Sequence, residues 1–184
     1  MKYKFLILTP ILFSSFYTSA KDLCGVGVEF KNSPRVARNT HSLSESISLF
    51  TKQYKARAVI KGETVVYSVN CQTLNGADYT GNAEEVAGYV QSSLSQLKQK
   101  GFKDFSVEKL EATNLSYQGK LPFHFYKIKA LNQDLQPFEY LNLYLFDKQL
   151  NTIYITSVAG LQSTSDLNLK EFEFTINSLK IQNN

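Results

Sequence analysis

The chain has 184 residues and a formal net charge of +4 at pH 7, from 20 lysines and arginines against 16 aspartates and glutamates. Basic and acidic residues alternate along the sequence, unlike the clustered basic face of a nucleic-acid-binding protein, so we expect no nucleic-acid partner. This length fits a single domain that can bury a full hydrophobic core.

The first twenty residues have the pattern of a secretory signal peptide. Two lysines precede a mostly apolar run from Phe5 to Phe16, and the small residues Thr18–Ala20 follow, where a signal peptidase cleaves. A transmembrane anchor is the alternative, but the run is shorter than the roughly 20 apolar residues that span a bilayer. We therefore predict a signal peptide at 1–20, a mature domain at 21–184 without a membrane anchor, and a periplasmic or secreted location.

The two cysteines, Cys24 and Cys71, are expected to form one disulfide bond. In an oxidising compartment an even pair of cysteines usually forms a bridge, although two buried free thiols are the alternative. Each cysteine has the same parity as the apolar residues of a predicted strand, so both side chains should point to one buried face. Pairing of these two strands as antiparallel neighbours would bring the sulfur atoms together.

The first predicted strand contains Val26, Val28 and Phe30, which alternate with other residues at the period of a half-buried strand. Pro34 ends this pattern. Residues 33–52 are rich in serine and threonine and show no clear period. Their few apolar residues could lie on a short helix or an irregular strand, so we predict a loop with some local structure there.

A hairpin follows. Apolar residues alternate in the segments Tyr54–Ile60 and Val65–Cys71, and Lys61 and Gly62 lie between them. A glycine in so short a connection supplies the positive φ angle of a tight turn. The two strands should therefore pair antiparallel.

The clearest predicted helix begins at Asn82, an N-cap residue with Glu85 three positions later, close to a capping box. Its apolar residues recur at spacings of four, four and three: Val86, Val90, Leu94 and Leu97. Gly101 can adopt a left-handed C-cap, with Phe102 folding back onto Leu97. We expect the helix to end near Lys100.

Four more strands and a second helix complete the prediction. Short turns separate the strand-like runs Phe105–Glu111, Leu121–Ala130, Phe138–Phe146 and Thr152–Ala159, as in an antiparallel meander. The last helix begins near Ser165 or Asp166 and has an apolar stripe: Leu169, Phe172, Ile176 and Leu179. The fold class is therefore predicted as α+β, an antiparallel β-sheet with two main helices packed against it.

These features together resemble a known superfamily. The order of elements, the helix followed by Gly-Phe, the aromatic meander and the closing segment Phe172–Lys180 look like the PsbP/Mog-like α/β/α sandwich. That superfamily includes extrinsic photosystem subunits, a Ran-binding nuclear factor and DcrB-like bacterial envelope proteins. The resemblance covers residues 53–181 and implies a non-enzymatic accessory or binding module, without assigning a role to any residue.

No motif in the sequence predicts a catalytic residue, a metal site or a cofactor. His41 and His124 do not have the spacing of metal ligands. Ser42 follows His41 directly, but a Gly-x-Ser-x-Gly nucleophile motif is missing. The many tyrosines and phenylalanines could line a ligand cleft or a partner surface, although packing of the core explains them as well.

We therefore predict an exported, non-catalytic binding or accessory module with a protein partner in the cell envelope. The alternatives are an exported hydrolase with an unrecognised site and an inhibitor or immunity protein for another exported protein. The three arginines Arg35, Arg38 and Arg57 form a candidate basic patch for an acidic partner, with ordinary solvated charges as the alternative.

Overall fold

The computed structural model describes residues 24, 26–30, 32–111 and 121–181, so the predicted signal peptide at 1–20 lies outside the described residues. The elements in chain order are β1 (Val26–Gly27), β2 (Arg35–Ser42), β3 (Ser48–Ile60), β4 (Glu63–Asn75), α1 (Ala83–Gln99), β5 (Lys103–Leu110), β6 (Phe123–Leu131), β7 (Pro137–Asp147), β8 (Thr152–Leu161), α2 (Ser165–Asn177) and β9 (Lys180–Ile181).

Strands β2 to β8 form one seven-stranded antiparallel sheet in the order β2-β3-β4-β8-β7-β6-β5. The predicted hairpin and the predicted meander are both present, and β4 joins them by pairing with β8. Lys61 and Gly62 have φ angles of 51° and 84°, which are typical of the type I′ turns that suit tight hairpins.

The two helices pack on opposite faces of this sheet, which we call the α1 face and the α2 face. Leu141 and Leu143 of β7 belong to the core that includes Phe172 of α2. Tyr144 and Phe146 of the same strand belong to the core around the apolar stripe of α1. The predicted α+β fold is therefore confirmed, with β7 covered on both faces.

The predicted ends of α1 are confirmed in detail. The Asn82 side chain accepts a hydrogen bond from the backbone N–H of Glu85 at 2.8 Å. At the other end, the N–H groups of Phe102 and Gly101 donate to the carbonyls of Leu97 and Lys98, which is the Schellman pattern. The Phe102 ring then packs edge-on against Phe138, with the ring centroids 5.0 Å apart.

The prediction of a loop at residues 33–52 is wrong, because most of this segment forms β2 and the first part of β3. Every residue of β2 is exposed, so the strand has no buried face and no apolar period. Backbone pairing with β3 holds it in place.

The disulfide bond between Cys24 and Cys71 is confirmed, but the strand pairing inferred with it is wrong. Val26 and Gly27 form a two-residue strand that pairs with β9 and lies outside the main sheet. Cys24 and Val26 pack into the core on the α2 face together with Cys71. The disulfide bond therefore joins the segment before β1, outside the main sheet, to β4 within it, and does not join two neighbouring strands.

Neither helix in the described part of the chain has the length and hydrophobicity needed to cross a membrane.

Candidate functional site

A groove of about 510 Å³ lies between α1 and the α1 face of the sheet. It exists because the apolar stripe of α1 packs against residues of β6, β7 and β8, while the polar flank of the helix faces β3 and β4. The groove is lined by side chains of β3, β4, β7, β8 and α1, with Phe102 and Phe138 at one end.

One line of directly opposed residues runs across the floor of the groove and continues beyond its lining to β2 at the edge of the sheet. Asn142 of β7 lies opposite Ser157 of β8, which lies opposite Ser68 of β4. Ser68 in turn faces Lys55 of β3, and Lys55 faces Arg35 of β2. We call these five residues, Asn142, Ser157, Ser68, Lys55 and Arg35, the polar row.

The alternation of side chains along each strand places the polar row on this face. In β4 the odd-numbered residues from Val65 to Cys71 point into the core on the α2 face. The even-numbered residues Ser68, Asn70 and Gln72 consequently point to the α1 face and line the groove.

Asn142 is the buried end of the polar row, with 1% of its surface exposed. Its Oδ1 accepts a hydrogen bond of 2.8 Å from Ser157 Oγ, and its Nδ2 has no hydrogen-bond partner among the described residues. Exchanging the two amide atoms would leave Oδ1 unpartnered in place of Nδ2. Since buried polar groups are almost always paired, Asn142 stands out as a lining residue whose amide is incompletely paired.

Two tyrosines flank Asn142 on the same face of β7. Burial raises the pKa of Tyr140 and also that of Tyr144, so both phenols stay neutral at physiological pH and can donate or accept hydrogen bonds. The ring of Tyr89 on α1 lies 6.0 Å from that of Tyr144. These rings give the groove an aromatic wall beside its polar floor.

The remaining polar groups of the groove are mostly amides and hydroxyls. Gln53 Nε2 donates a 2.7 Å hydrogen bond to Asn70 Oδ1, which fixes both amides on the floor. Lys55 and Lys100 also line the groove, and no carboxylate is found among the described residues of its lining. The groove therefore favours neutral or negatively charged ligands.

The three predicted arginines do not share one surface. Arg35 and Arg57 project from the α1 face next to Lys55, because Arg35 lies directly opposite Lys55 and Arg57 is two residues beyond Lys55 in β3. Arg38 lies opposite Lys52 and projects from the α2 face. The structure therefore brings Arg35 and Arg57 together with Lys55 and separates them from Arg38.

The two histidines lie apart from each other, on strands at different positions in the sheet. His41 is exposed on β2. The ring of His124 on β6 packs edge-on against Phe146, and its Nε2 lies 3.4 Å from the carbonyl oxygen of Gly81. Within the described ranges, no group of three histidine, cysteine or acidic side chains could hold a metal ion.

Sequence reasoning missed Asn142, Ser157 and Ser68 as site residues. Asn142 does interrupt the apolar run of β7 with a polar amide, which was the one local signal. Comparison with family models, curated proteins and solved structures finds no match to this chain.

Proposed function

We propose that this protein is an exported, non-catalytic binding module of the cell envelope, and that its groove binds a small polar ligand. The observation that carries the proposal is the buried, incompletely paired amide of Asn142 on the floor of the groove. A group of this kind costs free energy in the unliganded protein, and a ligand hydrogen bond would recover it.

The chemistry of the lining supports binding over catalysis. Amides and neutral phenols hold a ligand through hydrogen bonds without accepting its protons. Both imidazoles, the usual general bases at neutral pH, lie outside the lining.

The layered architecture and the disulfide bond support the rest of the proposal. A helix on each face of an antiparallel sheet is compatible with the PsbP/Mog-like sandwich, whose bacterial envelope members imply an accessory module serving a protein partner. The Cys24–Cys71 bond is compatible with an oxidising compartment outside the cytoplasm.

A double variant tests the groove. Asn142→Leu with Ser157→Ala replaces this hydrogen-bonded pair by apolar groups of similar or smaller size. Because Tyr140 also loses its hydrogen bond to Ser157, the Tm of each protein is compared only with its own value without ligand. We expect the small-molecule fraction of an envelope extract to raise the Tm of the wild-type protein by several degrees. The same fraction should leave the Tm of the double variant unchanged.

The matched control is Thr73→Val with Thr152→Val. These threonine hydroxyls form a buried pair, 2.8 Å apart, outside the lining of the groove, so this variant should respond to the extract as the wild type does. If no fraction shifts the wild-type Tm, or if Asn142→Leu/Ser157→Ala still responds, the groove is not a ligand site.

A further inference from the structure

The polar row changes character along its length. Asn142, Ser157 and Ser68 are 1%, 2% and 8% exposed, whereas Lys55 and Arg35 are exposed. The row therefore leads from buried neutral groups at the centre of the sheet to a pair of cations near its edge.

Within the described residues, the cationic end has no carboxylate as an ion-pair partner. Lys55 and Arg35 lie directly opposite each other, and Arg57 is the next residue of β3 on the same face. Like charges placed opposite each other in a sheet are destabilising. No carboxylate in the described part of the chain forms an ion pair with these three side chains, and their neighbours on β4 are Ser68 and Val66.

The length of the row limits the ligand. Asn142 and Lys55 are separated by three interstrand spacings, about 14 Å in total. A molecule that contacts both ends must be elongated, with hydrogen-bonding groups at one end and an anionic group at the other.

A ligand in the groove must be bound by side chains, because the backbone groups of the strands beneath it are already paired. Strands β3, β4, β7 and β8 are each paired on both sides, so a bound peptide could not add to them as an extra strand. Amides, hydroxyls and aromatic rings remain as the contacting groups. Sugars match this set, because their hydroxyls pair with amides while their C–H faces pack on aromatic rings.

From these observations we propose that the groove binds an acidic amino sugar of about two rings. Its amide and hydroxyl groups contact Asn142 and Ser157, and its carboxylate lies between Lys55 and Arg35. This inference rests on the proposed binding function and adds the class of ligand to it.

Calorimetric titration with two matched probes tests the inference. The acidic probe is the disaccharide of N-acetylglucosamine and N-acetylmuramic acid, and the neutral probe is N,N′-diacetylchitobiose. We expect the acidic disaccharide to bind about tenfold more tightly, since a charge-assisted hydrogen bond is worth about 1.4 kcal/mol or more. Raising the salt concentration should reduce this preference.

Charge variants locate the anion-binding end. Lys55→Gln with Arg35→Gln should abolish the preference for the acidic probe, so that the two probes bind this variant with equal affinity. The control is Arg38→Gln, which removes a charge from β2, the strand of Arg35, but on the α2 face. This variant should keep the preference for the acidic probe. Asn142→Leu with Ser157→Ala should weaken binding of both probes.

Three outcomes would overturn the inference: no binding of the acidic disaccharide at millimolar concentration, equal affinity for the two probes, or tighter binding of the acidic tripeptide N-acetyl-Gly-Ser-Asp. If the envelope fraction still shifts the wild-type Tm in any of these cases, the ligand class is wrong and the binding function stands. If neither the fraction nor a probe binds, the binding function fails as well.

Discussion

Two buried polar side chains on β7 illustrate how a structural group differs from a candidate binding group. Glu139 is 1% exposed, and its carboxyl oxygens accept hydrogen bonds from Asn168 Nδ2 at 3.1 Å and from Ser165 Oγ at 2.8 Å. Asn142, equally buried on the other face, has one amide atom without a partner among the described residues. Glu139 anchors the start of α2, whereas Asn142 has bonding capacity left for a ligand.

The network around Glu139 makes Gly160 intolerant of a side chain. A methyl group at Gly160 would lie 3.0 Å from Asn168 Oδ1 and 3.3 Å from Val65 Cγ2. Asn168 cannot move away easily, because it is fully buried and also accepts a hydrogen bond from Thr164. We expect Gly160→Ala to lower the free energy of unfolding by about 1–3 kcal/mol in urea titrations.

The same substitution at Gly88 provides the control with the opposite sign. Gly88 lies within α1, and a methyl group there would have no atom within 4 Å. Gly88→Ala should raise the free energy of unfolding by about 0.5–1 kcal/mol, because alanine loses less backbone entropy in a helix. A neutral or stabilising Gly160→Ala would show that the Asn168 network is not rigid.

At the scale of elements, the sequence predicts what local patterns encode. The period and caps of α1, the turn at Lys61 and Gly62, and the alternation in β7 all follow from neighbouring residues. Strand β2 and the pair β1–β9 depend on partners far along the chain. They have short or fully exposed sequences, so hydrophobic periodicity gives no signal for them.

The polar row could not be predicted from the sequence, because it too depends on residues that are far apart along the chain. Its residues come from five strands and meet only through the registers of four strand pairs. The β4–β8 pairing that completes it joins the early hairpin to the late meander. Sequence patterns predicted both parts but not the way in which they join.

The disulfide bond is the covalent link that ties the β1 segment to the sheet. Cys24 and Cys71 are 47 residues apart, and the chain-entropy argument gives a stabilisation of about 4 kcal/mol for a loop of this length. We expect Cys24→Ala with Cys71→Ala to lower the free energy of unfolding by about that amount in urea titrations. A loss below about 1 kcal/mol would mean that the β1–β9 pair holds the segment without the bond.

At the scale of the whole molecule, buried tyrosines on both faces of the sheet link stability to alkaline pH. Burial raises the pKa of Tyr67 to about 12. Burial, with the negative charge of Asp147 adding to it, raises the pKa of Tyr154 to about 12. Further tyrosines with a raised pKa lie on the α1 face: Tyr89, Tyr140 and Tyr144 line the groove, and Tyr79 belongs to the core around α1.

The sign of the pH dependence follows from these raised pKa values. Tyrosines of the unfolded chain ionise near pH 10, whereas Tyr67 and Tyr154 in the folded protein keep their protons until about pH 12. The unfolded state therefore binds fewer protons in this range, and stability that is complete below pH 10 is lost as the pH rises toward 12. We expect the free energy of unfolding to fall between pH 10 and pH 12 and to recover when the pH returns to 8.

Tyr154→Phe tests whether the buried phenols cause this loss. The Tyr154 hydroxyl has no hydrogen-bond partner among the described residues, so its removal should leave the free energy of unfolding at pH 8 unchanged or slightly higher. Between pH 10 and pH 12 the variant should lose less stability than the wild type, because one buried group no longer titrates. Recovery of the free energy of unfolding at pH 8 would exclude alkaline damage to the disulfide bond as the cause. If the wild type and Tyr154→Phe lose the same stability between pH 10 and pH 12, groups other than Tyr154 cause the alkaline loss.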